Sequence, residues 1–319
     1  MLPRRSLCGL FSAPFLAGTA AAQGSWPARS VRLVVPYPPG GTSDILARPF
    51  GEFLRQRLGQ AVVLDNRPGA STNIGNAAVA RAEPDGHTLL FGQASMIGNV
   101  FTGPPPNYDP RHAFAPVSLV ARVPYMLAAN PAFAAHDVAS FIQLARAHPG
   151  QYRIASAQLD FQVAQMARRS EIEVEHVAYR GGAQATGDAI AGQLEMVFAL
   201  VPVLLPFVRD GALRAIGVTS ADRTPVLPDT QSFQEAGVAR LDSGTWYGLF
   251  APAGTPRGIV QRLAAETAAF TGDAAMAARL GAQGYRLEST SPEQLEQLFQ
   301  RTAEDYAQVV RDLDWRPAR

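Results

Sequence analysis

Short β-branched runs alternate with segments of helical periodicity, and this alternation constrains the fold more than any other feature of the sequence. Val31–Val35, Ala61–Leu64 and Thr88–Gly92 have the composition of strands. Between them, Ile45–Leu58 and Ile74–Arg81 carry apolar residues at helical spacing. Strands separated by helices in this order predict a parallel sheet with right-handed crossovers.

A second series of strands and helices follows between about residues 126 and 245. The apolar, extended stretches Val117–Ala129 and Trp246–Ala251 flank this series, so each predicts a strand that crosses between two units. Ser291-Pro292-Glu293 starts a long amphipathic helix, which we expect to pack back on the first unit. The sequence therefore predicts two α/β lobes joined by two extended crossings.

The first 22 residues differ from the rest of the chain. Two arginines precede the apolar run Leu7–Ala17, and three alanines at 20–22 offer the small residues of a cleavage site. This pattern predicts a cleavable secretory signal peptide over 1–22, because the run is too short, and too interrupted by Pro14, to cross a membrane. Cleavage would remove Cys8, the only cysteine, so we expect an exported protein without disulfides.

Composition and charge argue against several classes of function. Apolar residues make up 47% of the chain and charged residues 17%, which is typical of a folded globular protein. The net charge of +1 gives no reason to expect a nucleic-acid partner. All 28 basic residues are arginine, which excludes the lysines of Schiff bases, phosphate loops and kinases.

The motifs of common enzyme classes are weak or missing in the sequence. None of the five histidines forms a pair at metal-binding spacing, so we predict no metal site. No Gly-x-Ser-x-Gly elbow occurs, and Ser95 within GQASMIG lacks that spacing. Gly40-Gly41 has no third glycine at the dinucleotide spacing. We expect neither a catalytic residue nor a cofactor.

One loop, VVPYPPGGTSD at residues 34–44, places a proline-rich, rigid segment directly before two flexible glycines at the end of the first strand. Its three prolines fix the chain, whereas Gly40 and Gly41 allow positive φ and a close approach by another group. Ser43 or Asp44 can cap the helix that follows. The amides and dipole of such a helix start favour an anion, but a tight connection that binds nothing also explains the pattern.

A second loop of the same kind follows the next predicted strand. DNRPGAS at 65–71 contains a Pro-Gly turn, and the polar residues Ser71, Thr72 and Asn73 come at the start of the following helix. Because the two loops follow adjacent parallel strands, we expect them to face one cleft. Arg67 can either brace this loop or contact a ligand.

These stretches resemble the extracytoplasmic solute receptors of tripartite tricarboxylate transporters, often called Bug-type receptors. The matching segments run in family order from about Trp26 to Asp312: VVPYPPGGTSD, VVLDNRPGAS-x-NIG, DGHTLLFG, APVSLVARVPYMLAANP, HVAYRGGAQA, LRAIGVTSADRTPVLPD and WYGLFAPAGTP. The resemblance implies an α/β fold of the two-lobe periplasmic binding protein kind (a type II flytrap), with two extended hinge crossings. We expect lobe 1 to cover 23–124 and 248–319, and lobe 2 to cover 125–247.

The resemblance also implies that backbone amides, small hydroxyl groups and ordered water hold a ligand carboxylate. Gly40, Gly41 and Thr42 would lie nearest the ligand, and Asp44 would organise the loop and its waters. The predicted ligand-binding residues are Tyr37, Pro39, Gly40, Gly41, Thr42, Asp44, Ser71, Thr72, Asn73, Gln93, Ser95, Ser156, Gln158, Asp160, Tyr179, Gly181 and Ala199.

The second-lobe loop departs from the family's pattern. Residues 156–162 read SAQLDFQ, where the family has a glycine- and serine-rich turn before a helix that carries histidine. Asp160 can cap this helix, or it can project into the cleft, where it would disfavour a second carboxylate and favour a neutral or amine-bearing ligand. Ala199 replaces the family's usual acidic residue, and the loop at 93–97 lacks the family's common histidine.

We expect a periplasmic, monomeric receptor that captures a small organic carboxylate or a related metabolite. Hinge closure on the ligand would prepare it for delivery to the membrane permease subunits of a tripartite transporter. Two alternatives stay open. One is a sensor of the same fold that passes ligand occupancy to a membrane sensor kinase. The other is an exported enzyme, for which Asp160, Asp44 and Ser95 are the candidate reactive groups.

Overall fold

The structure is a computed structural model that describes residues 26–239, 241 and 244–312. The predicted signal peptide at 1–22, with Cys8, lies outside the described residues. In the first part of the chain, strands and helices alternate as β1 (Val31–Val35), α1 (Thr42–Leu58), β2 (Val62–Asn66), α2 (Asn73–Ala80), β3 (Thr88–Gln93) and α3 (Ser95–Thr102). The predicted alternation and the parallel pairing of β1 with β2 and β3 are confirmed. α3 was not predicted from the sequence.

The long strand β4 (Phe114–Ala129) leads from lobe 1 into lobe 2. Lobe 2 then contains α4 (Val138–Ala147), β5 (Arg153–Ala157), α5 (Asp160–Arg169), β6 (Glu175–Tyr179), α6 (Gly182–Ile190), β7 (Met196–Leu200), α7 (Val201–Arg209) and β8 (Arg214–Val218). The chain returns to lobe 1 as β9 (Gly244–Pro252), α8 (Arg257–Thr271), α9 (Ala274–Gly281), β10 (Arg286–Leu287) and α10 (Pro292–Asp312). α10 begins at the predicted Ser-Pro-Glu motif.

Within the described residues, ten strands form one sheet that runs through both lobes. Its main path is β2-β1-β3-β9-β4-β7-β5-β6, with β8 and β10 also paired to β4. β4 pairs antiparallel with β9 as far as Pro124, opposite Gly244, and from Tyr125 onward it pairs with β7. The predicted α/β fold of two lobes with two extended crossings is thus confirmed. The lobe bounds 23–124 with 248–319, and 125–247, stay a prediction.

Helices cover both faces of the sheet in each lobe. In lobe 1, α1 and α8 pack on one face, and α2, α3 and α10 pack on the other. In lobe 2, α4 and α5 pack on one face, and α6 and α7 on the other. Helices that follow parallel strands begin at the carboxyl ends of those strands, so their N-termini line the edge where ligands bind in open α/β sheets. Within the described ranges, no helix is both long enough and apolar enough to span a bilayer.

Phe270 tests how the C-terminal return, the segment from β9 to α10 at 244–312, stabilises lobe 1. Its ring is fully buried and packs edge-on against Phe50 and Phe53 of α1, at centroid distances of 5.1 and 5.4 Å. We predict that Phe270→Ala lowers the free energy of unfolding by about 3–5 kcal/mol, because it leaves a cavity between α8 and α1. Phe207→Ala, at a ring that is 36% exposed, should cost much less. Urea denaturation measures both losses, and equal losses would contradict the prediction.

Candidate ligand-binding site

The loop between β1 and α1 exposes its backbone at the carboxyl edge of the sheet. Pro38, Pro39, Gly40 and Gly41 are all exposed, and Gly40 has a φ of 82°, which a glycine adopts without strain. Gly41 has a φ of −78°, so the prediction of positive φ at this second glycine is wrong. A β-carbon at Gly41 would lie 3.7 Å from the Pro38 carbonyl oxygen, so the fold tolerates a side chain there.

α1 begins at Thr42, three residues before the predicted start, and no side chain caps it. The N-cap residue is Gly41, in an extended conformation, so the prediction that Ser43 or Asp44 caps this helix is wrong. Both residues instead lie in the first turn and are buried. The exposed glycine at the N-cap leaves the start of α1 open to a group outside the chain.

Asp44 fixes the shape of this loop. Its carboxylate accepts hydrogen bonds from the Gly40 N–H at 2.9 Å, from Arg48 at 2.7 and 3.0 Å, and from the Asn66 amide at 3.2 Å. The same Asn66 amide donates to the Tyr37 carbonyl at 3.0 Å. Burial alone would raise the pKa of Asp44, but these donors outweigh it and hold the pKa below its ordinary value.

A network of hydroxyl and amide groups joins the starts of α1 and α3 to the loop. The hydroxyls of Tyr37 and Ser95 share a hydrogen bond. The Gln93 amide donates to Ser95 Oγ at 3.3 Å, and Ser43 Oγ donates to Gln93 Oε1 at 3.3 Å. Burial raises the pKa of Tyr37 well above its ordinary value, so this phenol stays protonated and keeps a hydrogen to donate.

Two tyrosines from the C-terminal return hold Thr42. The Tyr247 hydroxyl donates to Thr42 Oγ1 at 2.9 Å, and the Tyr285 hydroxyl donates to the Thr42 carbonyl at 2.9 Å. Burial raises the pKa of Tyr247 to about 12, so this group is neutral at physiological pH. Neither residue was predicted from the sequence. Tyr247 lies in the WYGLF segment, whose family match was the available signal, whereas Tyr285 had none.

The second loop has an unusual backbone. Residues 69–72 all have positive φ, with values of 120°, 46°, 51° and 76°, and three of them are not glycine. The Asn99 amide donates to the Ser71 carbonyl, and the Asn76 amide donates to Thr72 Oγ1 at 3.1 Å. These contacts from α2 and α3 hold a backbone conformation that is strained for residues with side chains.

The polar side chains that flank this loop have hydrogen-bond or ionic partners within the chain. Arg67 pairs with Asp65 at 2.7 Å, which supports the bracing alternative for this arginine. Asn73, the first residue of α2, donates through its amide to the Pro104 carbonyl at 3.1 Å.

The predicted residues of the 156–160 loop lie at the start of α5. Ser156 is buried, and its hydroxyl shares a hydrogen bond of 2.8 Å with His176 Nε2. Gln158 has a φ of 59° and is exposed. The N-cap of α5 is Leu159 and makes no side-chain cap, so the capping alternative for Asp160 is wrong. Burial lowers the pKa of His176, and the nearby Asp160 partly opposes that shift.

The remaining predicted residues of lobe 2 follow β6 and β7. The Tyr179 hydroxyl donates to Asp188 at 2.6 Å, which ties it to α6 of its own lobe. Gly181 is the N-cap of α6 and has open space where a β-carbon would stand. Ala199 lies near the end of β7, opposite Met126 of β4.

A cavity of about 1080 Å³ lies beside these loops, against the two crossing strands. Its walls include Tyr125 of β4, Trp246 of β9, Phe161 of α5 and Tyr306 of α10. None of the predicted ligand-binding residues lines it. The cavity and the predicted site therefore adjoin but do not coincide, and no sequence pattern indicated the cavity.

Two α/β lobes joined by two crossing strands, with helix starts gathered at the strand ends, define the periplasmic-binding-protein class of fold. The chain belongs to the tripartite tricarboxylate transporter family of receptors, because the family model "Tripartite tricarboxylate transporter family receptor" matches residues 46–314. The predicted family is confirmed.

Relatives and solved structures agree with this assignment. The "UPF0065 protein in tcbD-tcbE intergenic region" of Pseudomonas sp. (strain P51) is 34% identical, over 96% of this chain and 93% of its own. The structure "R. palustris Rpa4515 with adipate" is 30% identical with a TM-score of 0.83, over 92% of this chain and 100% of its own. "MatC (Rpa3494) from Rhodopseudomonas palustris with bound malate" is 29% identical with a TM-score of 0.77, over 89% and 100%.

Asp44→Asn tests the anchor of the first loop. The variant keeps the size of the side chain but loses its charge, so we predict a loss of about 1–3 kcal/mol in unfolding free energy at pH 7. We expect the lower part of that range, because Arg48 is 58% exposed and solvent screens the pair. The lowered pKa means that the contribution is present above about pH 4 and disappears as pH falls through the folded pKa.

Urea denaturation at pH 7 and pH 3 measures this effect. The difference in unfolding free energy between the native protein and Asp44→Asn should be smaller at pH 3 than at pH 7. Glu52→Gln is the matched control, because the Glu52–Arg55 pair on the same helix is in solvent. A stability difference for Asp44→Asn that is the same at both pH values would show that the charge does not hold the loop.

Proposed function

We propose that this protein is a periplasmic receptor that captures a small organic carboxylate and closes its two lobes on it. Hinge closure would present the ligand to the membrane permease subunits of a tripartite transporter. The predicted signal peptide at 1–22 supports export to the periplasm. The proposed lobes are 23–124 with 248–319, and 125–247, and the proposed receptor is a monomer.

The observation that carries this proposal is the exposed loop at 38–41. Asp44 holds the Gly40 amide, and the loop ends at the uncapped start of α1, which favours an anion. Nearby phenol and hydroxyl groups of Tyr37 and Ser95 are neutral donors suited to a carboxylate. Support also comes from two relatives of the same fold, whose structures contain adipate and malate.

We propose a binding role rather than a catalytic one for the polar groups of this loop. Asp44 is occupied by the donors of Gly40, Arg48 and Asn66, so it is an anchor rather than a free base. Ser95 shares its hydrogen bonds with a neutral phenol and an amide, and neither group takes a proton from a serine at neutral pH.

Native mass spectrometry of the mature protein, purified from periplasm, tests the proposal directly. We expect one organic acid per chain, identified after its release. Calorimetry with malate and adipate then gives the affinity. A protein that arrives empty and binds neither acid, nor any other carboxylate of a small panel, would overturn the proposed ligand class.

Gly41→Val tests whether the ligand approaches the first loop. The fold has room for the side chain, but its methyl groups would cover the exposed amides. We predict at least tenfold weaker binding of the acid that the native protein binds, about 1.4 kcal/mol, with only a small fall in melting temperature, because valine is a poorer N-cap than glycine. Gly258→Val, at an equally open glycine of α8, is the control. Unchanged affinity in calorimetry would remove the loop from the site.

Asp160→Ser tests whether this carboxylate repels a second acid group. Asp160 is the first residue of α5 and does not cap it, and we propose that its charge acts on the cleft. We predict that Asp160→Ser tightens binding of malate or adipate by about three- to tenfold, by removing a repulsion of about 1 kcal/mol. Glu173→Ser makes the same charge change at an exposed site before β6. An unchanged ligand profile in calorimetry would place the Asp160 carboxylate away from the ligand.

A further inference from the structure

The C-terminal helix α10 is anchored on lobe 1 and also contacts lobe 2. Leu295 and Phe299 of its first half are buried in the lobe 1 core, next to Trp246 of the crossing strand β9. Trp246 Nε1 donates a hydrogen bond to Thr302 Oγ1 at 3.1 Å, which fixes the middle of the helix to that crossing. The ten residues after Thr302 extend the helix by about 15 Å beyond this anchor.

On its lobe 1 side, the ring of Tyr306 packs against α3. A β-carbon at Gly98 would stand only 2.6 Å from two ring carbons of Tyr306, so the glycine allows the ring to contact the helix backbone. The Phe101 ring is nearly parallel to that of Tyr306, with 6.4 Å between centroids and 6° between planes. α3 begins at Ser95, which belongs to the proposed binding site.

On its other side, Tyr306 contacts lobe 2. The Phe161 ring stacks on it at 5.1 Å and 17°, and the Gln162 amide donates to the Tyr306 hydroxyl at 3.2 Å. Phe161 and Gln162 directly follow Asp160 at the start of α5. One side chain of the C-terminal helix therefore touches the first turn of a lobe 2 helix and the body of a lobe 1 helix.

The position of Tyr306 relates this contact to the proposed site. Tyr306 and Phe161 both line the cavity against the crossing strands. Burial is the main cause of the raised pKa of Tyr37, and the nearby Tyr306 adds to it. Tyr306 therefore lines the cavity and packs on α3, the helix that begins at Ser95 of the polar network.

We propose that Tyr306 is a positioning residue: it holds the start of α5 against lobe 1, so that the loop at 156–160 faces the loop at 37–44. It acts through Phe161 and Gln162 and does not itself hold the ligand. The contact belongs to the closed arrangement of the lobes, so it contributes to ligand affinity. Only this contribution to affinity rests on the proposed receptor function.

The first test needs no ligand and compares Tyr306→Ala with Tyr152→Ala. Tyr152 has an aromatic partner in Phe133 of the same lobe, at 5.3 Å, so its variant loses a similar contact that does not join the lobes. We expect Tyr306→Ala to speed amide hydrogen exchange over 158–165 at least tenfold, and to increase the radius of gyration in X-ray scattering. Tyr152→Ala should do neither, and native values for Tyr306→Ala would overturn the proposal.

The second test measures affinity for malate and adipate by calorimetry. We expect about tenfold weaker binding in Tyr306→Ala, whereas Tyr306→Phe keeps the stacked ring and should stay within about threefold of native. Phe161→Ala removes the same contact from the lobe 2 side and decides the question if Tyr306→Ala does not fold. Native or tighter binding in these alanine variants would overturn the assignment to the closed arrangement.

The two proposals fail in different ways. If the native protein binds neither acid, nor any other carboxylate of the panel, the receptor function fails, while the exchange and scattering results still decide whether Tyr306 positions α5. If the native protein binds an acid but Tyr306→Ala leaves exchange, scattering and affinity unchanged, only the positioning role is lost.

Discussion

The backbone pairing along β4 is the interaction on which both lobes depend. One strand of 16 residues serves as a partner for β9 in lobe 1 and for β7 and β8 in lobe 2. The change of partner falls at Pro124, which has no N–H to give to a ladder. Opposite it, a β-carbon at Gly244 would stand 2.7 Å from the Val123 carbonyl oxygen, so the two crossings approach too closely there for any other residue. The point where β4 changes partner is therefore occupied by a proline that faces a glycine.

The sequence was sufficient for features that depend on neighbouring residues. The alternation from Val31 to Gly92 and the start of α10 follow from periodicity and capping patterns, and both are confirmed. α3 escaped prediction because it begins directly after β3 with Ala94 at its N-cap, a residue type that does not signal a helix start. β10, with two residues, exists only because β4 offers it a partner.

The candidate site shows the same division between local and distant causes. The opening pattern at 34–44 predicted a glycine-lined loop that another group can approach, with Ser43 or Asp44 as the helix cap, whereas the family resemblance implied that Asp44 organises the loop. The structure uses Asp44 as an acceptor for Gly40, since Arg48 and Asn66 converge on it. The two hydrogen bonds that hold Thr42 come from Tyr247 and Tyr285, more than 200 positions away in the chain. No short motif can reveal such contacts.

The position of β9 determines which lobe can complete its sheet first as the chain is synthesised. β9 lies between β3 and β4, yet it is encoded more than a hundred residues after either of them. Lobe 1 therefore has a gap in its sheet until the chain beyond residue 244 is available, whereas lobe 2 is assembled from one uninterrupted segment. A chain that emerges N-terminus first has all the strands of lobe 2 before it has those of lobe 1, so the surface proposed to bind the ligand is completed last.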